Sequence, residues 1–225
     1  MKKLVIFDLD GTLLDTLTDL TNSVNYVLKQ YKKPLKEELE IKYHLGYGPK
    51  YLLEKAFEKN FSDEEYKEVF SLYDNYYSKH QLDFTKPYEG IIDVLNELKR
   101  EGYLLAVCSN KQESAVKELM DEMFNGIFDV MMGTSKLNKP KPNPEMVLKA
   151  MELLGVKKEN TIYIGDTEVD LNTAINANIK KIAVLYGFRK KADLIKYKPE
   201  YFADTPKELI TLIKEILWVI FFSRS

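Results

Sequence analysis

What the chain has little of narrows it first. A single cysteine, Cys108, among 225 residues excludes an internal disulfide and fits a reducing compartment, so the expected location is the cytoplasm. Cys108 stands in an apolar stretch, where packing rather than reactivity is its expected role. The only histidines are His44 and His80, and neither is assigned a catalytic role. No charge sign dominates: the net charge of −2 gives no electrostatic reason to expect a nucleic-acid partner. Lysine pairs such as Lys32-Lys33 and Lys190-Lys191 read as solvated surface. Internal repeats and low-complexity linkers are absent. The N-terminus has no positively charged segment followed by an apolar stretch and a cleavage site, so export is not expected. The apolar run Ile216–Phe222 falls far short of the ~20 residues of a membrane-spanning helix. It reads as the last turns of a helix packed on a core, in preference to an exposed dimer patch or a tail on a membrane surface. With 45% hydrophobic and 30% charged residues the chain reads as soluble and globular. Its length suits one large α/β domain, or a core with a smaller domain inserted.

What is present begins with Asp8-Leu9-Asp10-Gly11-Thr12. It follows Leu4-Val5-Ile6-Phe7, an apolar run that reads as a buried strand. A strand that runs into two aspartates and Gly-Thr ends at the carboxyl edge of a sheet, where open α/β folds bind ligands. Two carboxylates one residue apart cannot share a face of a straight strand. One can face a ligand with its side chain, while the other uses its carbonyl or reaches in from the turn. That division suits a nucleophile and a general acid/base around one hard cation. Gly11 permits the sharp turn, and Thr12 can offer a hydroxyl and an N–H to an anion.

Three later segments add what a carboxylate nucleophile acting on phosphate needs. Leu104–Cys108 is an apolar strand running into Ser109 and Asn110, a hydroxyl and an amide able to bind phosphate oxygens. Lys139-Pro140-Lys141-Pro142-Asn143-Pro144 is a stiffened loop that brings a compact positive charge to the aspartates and phosphate. Its Asn143-Pro144 reads as the start of a helix. Thr161–Ile164 is a third strand, ending at Gly165-Asp166, with Asp170 one helical turn beyond. Asp166 can complete an oxygen site for Mg²⁺. Asp170 can ligate through water or hold Lys141. Glu168 reads as a solvated carboxylate at a helix start.

In this order and setting, Asp8-Leu9-Asp10-Gly11-Thr12, Ser109-Asn110, Lys141 and Gly165-Asp166…Asp170 resemble the four motifs of the haloacid dehalogenase superfamily. The spacing from Lys141 to Gly155 aligns Lys141, rather than Lys139, with the family lysine. Gly46–Leu53, Thr85–Ile91, Ser109-Asn110-Lys111 and Tyr186-Gly187-Phe188-Arg189 resemble the phosphoglycolate phosphatase-like branch. Ala177-Asn178 departs from the Ala-Gly common there, and Asn tolerates the left-handed backbone that Gly supplies.

The elements follow the same plan. A strand at Lys3–Asp8 gives way to a run that reads as helices only, from about 15 to 85. Leu17, Leu20, Val24, Val27 and Leu28 recur there at helical spacing. Ser62-Asp63-Glu64-Glu65 is a capping-box signature ahead of Tyr66, Val69, Phe70 and Tyr73. Gly46–Pro49 breaks the pattern as a loop. Beyond Pro87, helices at Gly90–Glu101, Glu113–Met123, Pro144–Leu154 and Leu171–Ala177 alternate with strands at Tyr103–Cys108, Phe128–Met132, Thr161–Ile164 and Lys181–Leu185. A short strand near Tyr201–Ala203 and a final helix capped by Thr205–Glu208 follow. The expected fold is α/β: a Rossmann-like parallel-sheet core (1–14 and 86–225) with an inserted α-helical cap (15–85) placed to act as a lid.

The resemblance implies a Mg²⁺-dependent phosphatase that hydrolyses a small phosphorylated metabolite such as 2-phosphoglycolate. Asp8 would be the nucleophile and Asp10 the general acid/base. Asp8, Asp10, Asp166 and Asp170 would form the metal site. Lys141, Ser109, Asn110 and the Gly11 and Thr12 amides would hold the phosphoryl group. A β-phosphoglucomutase-like mutase uses the same motifs, but those relatives tend to carry Val at Thr12. A pyrophosphatase or nucleotidase of the superfamily is a further alternative. A dehalogenase would not need an acid at Asp10, and a non-catalytic binding protein should have lost a motif. Lys50 and Arg189 are candidates for reading the substrate. Monomer and homodimer both stay open.

Overall fold

The computed structural model describes residues 2–222, with side chains described through 217. The chain opens with β1 (Leu4–Phe7) and a two-residue strand β2 (Leu14–Asp15). Four helices follow, α1 (Leu17–Gln30), α2 (Glu38–Lys42), α3 (Pro49–Phe57) and α4 (Asp63–His80), then a second short strand, β3 (Lys86–Pro87). Helices and strands alternate from there: α5 (Ile91–Arg100), β4 (Leu104–Gln112), α6 (Glu113–Phe124), β5 (Val130–Thr134), α7 (Glu145–Leu154), β6 (Thr161–Gly165), α8 (Glu168–Ala177) and β7 (Lys180–Val184). The four-residue α9 (Lys191–Leu194), β8 (Tyr201–Ala203) and α10 (Glu208–Phe222) complete the chain.

Six strands form one parallel sheet in the order β5-β4-β1-β6-β7-β8. All four side chains of β1 are buried, as a central strand covered on both faces requires. One face packs β1 and β4 against α5, α6 and α10 through residues such as Leu95, Leu98, Leu119 and Ile213. The other face packs Leu4, Ile6 and Tyr163 against α7 and α8. Outward from β1 the chain runs to β4 and β5 on one side and to β6, β7 and β8 on the other. Strand order therefore reverses between β1 and β6. This switch point leaves a crevice at the carboxyl ends, where Asp8 and Asp166 emerge.

The helical segment has its own apolar cluster. Leu20, Val24, Val27 and Leu28 of α1 meet Leu52 and Leu53 of α3 and Val69, Tyr73 and Tyr77 of α4. The cap of α4 forms as its sequence indicates: Ser62 Oγ accepts from Glu65 N at 3.2 Å, and Glu65 Oε2 accepts from Ser62 N at 3.0 Å. Phe188, from the loop after β7, joins this cluster and links it to the sheet. Leu14 pairs with Pro87 and Asp15 with Lys86, so both crossings between sheet and helices run through one antiparallel ribbon. Asp19, buried in the first turn of α1, secures it. Its carboxylate accepts from Phe84 N at 3.1 Å, Thr85 N at 2.8 Å and Thr85 Oγ1 at 2.7 Å.

Differences from the sequence reading lie at edges. β4 continues four residues past Cys108 to Gln112, because its carboxyl end still pairs with β5 at Gln112 and Thr134. α8 begins at Glu168 rather than Leu171, because Thr167 and Asp170 close a capping box there. The β2–β3 ribbon and α9 have too few residues to register a periodicity. Asn178 takes the left-handed conformation, φ 55°, that ends α8. In the run 216–222, Ile216 and Leu217 are buried in the core, and the side chains from 218 onward lie outside the described residues. Among the described residues no helix is long and apolar enough to cross a membrane.

Replacing Asp19 with Ala leaves two main-chain N–H groups and a buried hydroxyl without their acceptor. Asp19→Ala is expected to lower the free energy of unfolding by about 2–4 kcal/mol in urea titration, with Asp19→Asn losing roughly half as much. A loss below ~0.5 kcal/mol for Asp19→Ala would show that the ribbon does not rely on this residue.

Candidate active site

The site is assembled from the carboxyl ends of β1, β4 and β6 and the loop before α7. Asp8 follows β1 directly, and its N–H donates to Ile164 O at 2.9 Å, which extends the pairing with β6 to the last residue before the turn. Beyond it the chain folds back: Leu9 O accepts from Thr12 N at 3.3 Å, Leu13 N at 2.9 Å and Leu14 N at 3.0 Å. Gly11 sits at φ +85° at the apex, and a Cβ there would collide with the carboxylate of Asp166. Gly165 is required for the same reason, since a Cβ would run into Asp170.

Lys141 is the centre of the cluster. Its buried ammonium lies 2.7 Å from Asp8 Oδ1 and 2.6 Å from Asp170 Oδ1, and it donates to Tyr163 OH at 3.1 Å. Asp170 Oδ2 accepts from the N–H of Thr167 at 3.0 Å and from its hydroxyl at 2.6 Å. Asp170 thus holds Lys141, and its carboxylate also lies within 4.8 Å of those of Asp8 and Asp166. Asp166 Oδ2 accepts from Phe188 N at 2.7 Å, and Oδ1 accepts from Thr12 Oγ1 at 3.2 Å. Ser109 is buried beside the cluster, and its Oγ accepts from Lys111 N at 3.2 Å, leaving its own proton to donate.

Several expected site residues serve other purposes. The N–H groups of Gly11 and Thr12 are engaged within the turn, on Leu14 O at 2.8 Å and on Leu9 O, so they do not face an anion. Among the described residues, the N–H groups of Leu9 and Asp10 have no main-chain acceptor. Asn110 is a strap rather than a phosphate ligand. Its Nδ2 donates to Gly46 O at 2.9 Å and Lys141 O at 3.0 Å, and its Oδ1 accepts from Lys141 N at 2.6 Å. Lys50 points away, half-exposed, 3.4 Å from Asp63. Arg189 is buried, donating to Glu168 and to the carbonyls of Lys42, Tyr43 and Leu45. Glu168 is thus an ion-pair partner rather than a solvated carboxylate. Its charge, together with three carbonyls, uses up the guanidinium that was a candidate for substrate.

Lys111, which the sequence reading names only within Ser109-Asn110-Lys111 and gives no role, belongs to the site. It is buried, its Nζ lies 3.1 Å from Asp10 Oδ1, and it lines a cavity between the sheet edge and the helices together with Asp8, Asp10, Ser109 and Tyr77. A signal was available: Lys111 follows Ser109-Asn110 directly in the segment at the end of the β4 apolar run, and all three residues line the cavity.

The electrostatics are unbalanced. Asp8, Asp166 and Asp170 are buried with carboxylate oxygens within 4.8 Å of one another, and Lys141 is the only cation in ion-pair contact with them among the described residues. Burial, then the charge of Asp170, pushes the Asp8 carboxyl up to about 7 against the pull of Lys141. Burial and the charges of Asp170 and Asp8 push Asp166 well above the ordinary range. Burial works against the Lys141 ammonium, but Asp170 and Asp8 outweigh it and raise its pKa. A buried, oxygen-only donor set with surplus negative charge fits a hard divalent cation such as Mg²⁺, which Asp8 and Asp166 can hold. Burial pushes the Cys108 thiol up to about 12, in keeping with a packing role.

The model of the haloacid dehalogenase-like hydrolase family matches residues 5–184. A phosphoglycolate phosphatase of Aquifex aeolicus (strain VF5) is 34% identical over 94% of this chain and 96% of its own length. The pyrophosphatase PpaX of Halalkalibacterium halodurans is 31% identical over 93% of this chain and 95% of its own. A crystal structure from Lactobacillus delbrueckii subsp. bulgaricus superposes with a TM-score of 0.88 at 33% identity, covering 96% of this chain and 99% of that one.

The raised carboxyls have a signed consequence for stability. The folded state holds the Asp8 proton more tightly than the unfolded chain, whose aspartates titrate near ~4. In metal-free protein this group therefore removes stability as pH climbs from about 4 through about 7. Asp8→Asn cannot ionise. In chelator-treated protein its melting temperature relative to wild type should rise by at least ~3 °C between about pH 5 and pH 8. A difference that stays constant across this range would mean that the carboxyl is not perturbed.

Proposed function

Because the chain belongs to the haloacid dehalogenase-like hydrolase family, we propose that it is a Mg²⁺-dependent phosphatase. It hydrolyses a small phosphate monoester, 2-phosphoglycolate foremost, through an aspartyl-phosphate on Asp8. The observation that carries this reading is the buried carboxylate of Asp8 held 2.7 Å from the Lys141 ammonium at the switch point of the sheet. Such a pair presents a nucleophile with the positive charge a phosphoryl group needs beside it.

Asp8 attacks phosphorus in line. The bond from its carboxylate oxygen to phosphorus forms as the ester P–O bond breaks, and Asp10 gives its proton to the leaving alkoxide. Asp10 then takes a proton from water, whose oxygen bonds to phosphorus and releases Asp8. Lys141, the Ser109 hydroxyl and the N–H groups of Leu9 and Asp10 hold the phosphoryl oxygens while charge moves between attacking and leaving atoms. Asp8, the Asp10 carbonyl and Asp166, with Asp170, would hold Mg²⁺, which when bound would supply the charge that offsets repulsion between two anions. Asp170 and Tyr163 fix the ammonium of Lys141, and Asn110 fixes its main chain.

Residues 15–85 act as the cap over a catalytic core of 1–14 and 86–225. Closure of these helices excludes water until the aspartyl-phosphate has formed. A cytoplasmic setting accords with the single buried cysteine. The similarity to the pyrophosphatase PpaX supports a second reading, in which the leaving group is phosphate. The mutase alternative is weaker, since Thr12 stands where those relatives tend to carry Val.

In a Mg²⁺-containing assay, wild-type protein should release phosphate steadily from 2-phosphoglycolate without a bisphosphate activator, and chelation should abolish release. Asp8→Asn should fall to background, and Asp10→Asn by roughly 10²–10⁴-fold. Glucose 1-phosphate should yield little glucose 6-phosphate. Near-normal turnover by Asp8→Asn would sink the covalent route, and stoichiometric isomerisation with almost no free phosphate would promote the mutase.

A further inference from the structure

The cavity between sheet edge and helices holds two polar groups that the proposed chemistry leaves unused. One is the Lys111 ammonium. Only 6% of its side chain is exposed, and it lies 3.1 Å from Asp10 Oδ1 and 4.6 Å above the Tyr77 ring. The other is the Tyr77 hydroxyl, which is buried and has no hydrogen-bond partner among the described residues. Both groups line the cavity, whose other walls include Leu20, Leu52 and Phe70.

A lysine withdrawn from water needs an anion, and a buried hydroxyl needs an acceptor. Asp10 gives Lys111 its anion here. That one contact leaves the ammonium further N–H donors beside the cavity. A leaving group with its own negative charge beside the ester oxygen would give the ammonium a second partner. It would also give the Tyr77 hydroxyl its acceptor. The apolar walls suit a short leaving group better than a polyhydroxylated sugar. Lys111 touches Asp10, and Asp10 serves the ester oxygen, so this second charge lies close to the scissile bond. Asp74 also lines the cavity, and burial raises its carboxyl.

We propose that Lys111 and the Tyr77 hydroxyl form a specificity site for a second anionic group, carboxylate or phosphate, carried within two or three bonds of the ester oxygen. This rests on the phosphatase reading and names the class of ester that it hydrolyses. Lys111 thereby takes the role that the sequence suggests for Lys50 and Arg189.

The test is a selectivity ratio. For the full chain with Mg²⁺, kcat/KM is measured on 2-phosphoglycolate, pyrophosphate and ethyl phosphate, the last having no second anion. Wild type should prefer an anionic substrate. Lys111→Met should lower that preference by about 10- to 100-fold, the usual range for a charged hydrogen bond. Lys111→Arg should keep most of it, and Tyr77→Phe should lower it about three- to tenfold. Whichever of 2-phosphoglycolate and pyrophosphate depends more on Lys111 identifies carboxylate or phosphate as the anion read. Equal losses on charged and neutral esters in Lys111→Met would overturn the proposal and leave Lys111 as a partner of Asp10 alone. Calorimetric binding of 2-phosphoglycolate to Asp8→Asn protein, with and without Lys111→Met, separates the two claims. Lys111-dependent binding by a protein that hydrolyses no ester would keep the anion site and remove the phosphatase reading. Hydrolysis with no Lys111-dependent selectivity would do the reverse.

Discussion

The contact on which the rest of the structure depends is the buried ammonium of Lys141 between Asp8 and Asp170. Three elements must agree for it to form. β1 delivers Asp8, the capping box of α8 turns Asp170 inward, and the loop before α7 carries the lysine between them. An ammonium buried alone would be driven to lose its charge, and three carboxylates buried alone would be driven to take up protons. When they are buried together, the one ammonium offsets one of the three negative charges. The negative remainder is the physical reason the site suits a divalent cation.

The same economy ties the helical segment to the sheet. Asn110 holds the Lys141 main chain with one end of its amide and Gly46 of the α2–α3 loop with the other. Arg189 joins Glu168 at the start of α8 to the carbonyls of Lys42, Tyr43 and Leu45. Asp19 anchors the ribbon through which the chain enters and leaves the helices. The contacts that shape the catalytic floor therefore also seat the roof above it. Lys111 and Tyr77 meet where the two surfaces come together.

Much of this was legible in the chain, and the exceptions share a cause. Apolar runs before Asp8, Ser109 and Asp166 marked the three strands, and for Asp8 and Asp166 their carboxyl ends too, because a strand buried on both faces has a local signature. The caps of α4 and the left-handed Asn178 were legible because they depend on neighbours within a few residues. Lys50 and Arg189 were not, because their partners depend on how the helices rest on the sheet. Arg189 binds a carbonyl 147 residues away, and no local pattern encodes that separation. The Gly11 and Thr12 amides could face outward or inward from a turn of the same composition, and the bonds to Leu9 and Leu14 decide the matter. Lys111 carried its clue in its place directly after Ser109-Asn110, a signal that is weak until β4 is known to continue to Gln112.

The central claim is that the charge left over around Lys141 is completed by a divalent cation. Calorimetric titration of Mg²⁺ into metal-free protein at several pH values, in buffers of different ionisation enthalpy, tests it most directly. The account predicts binding that tightens as pH rises from about 6 to 8, with protons released as Asp8 and Asp166 give up theirs, and loss of that binding in Asp166→Ala. Absence of Mg²⁺ binding, or binding with no proton release and no dependence on Asp166, would contradict it.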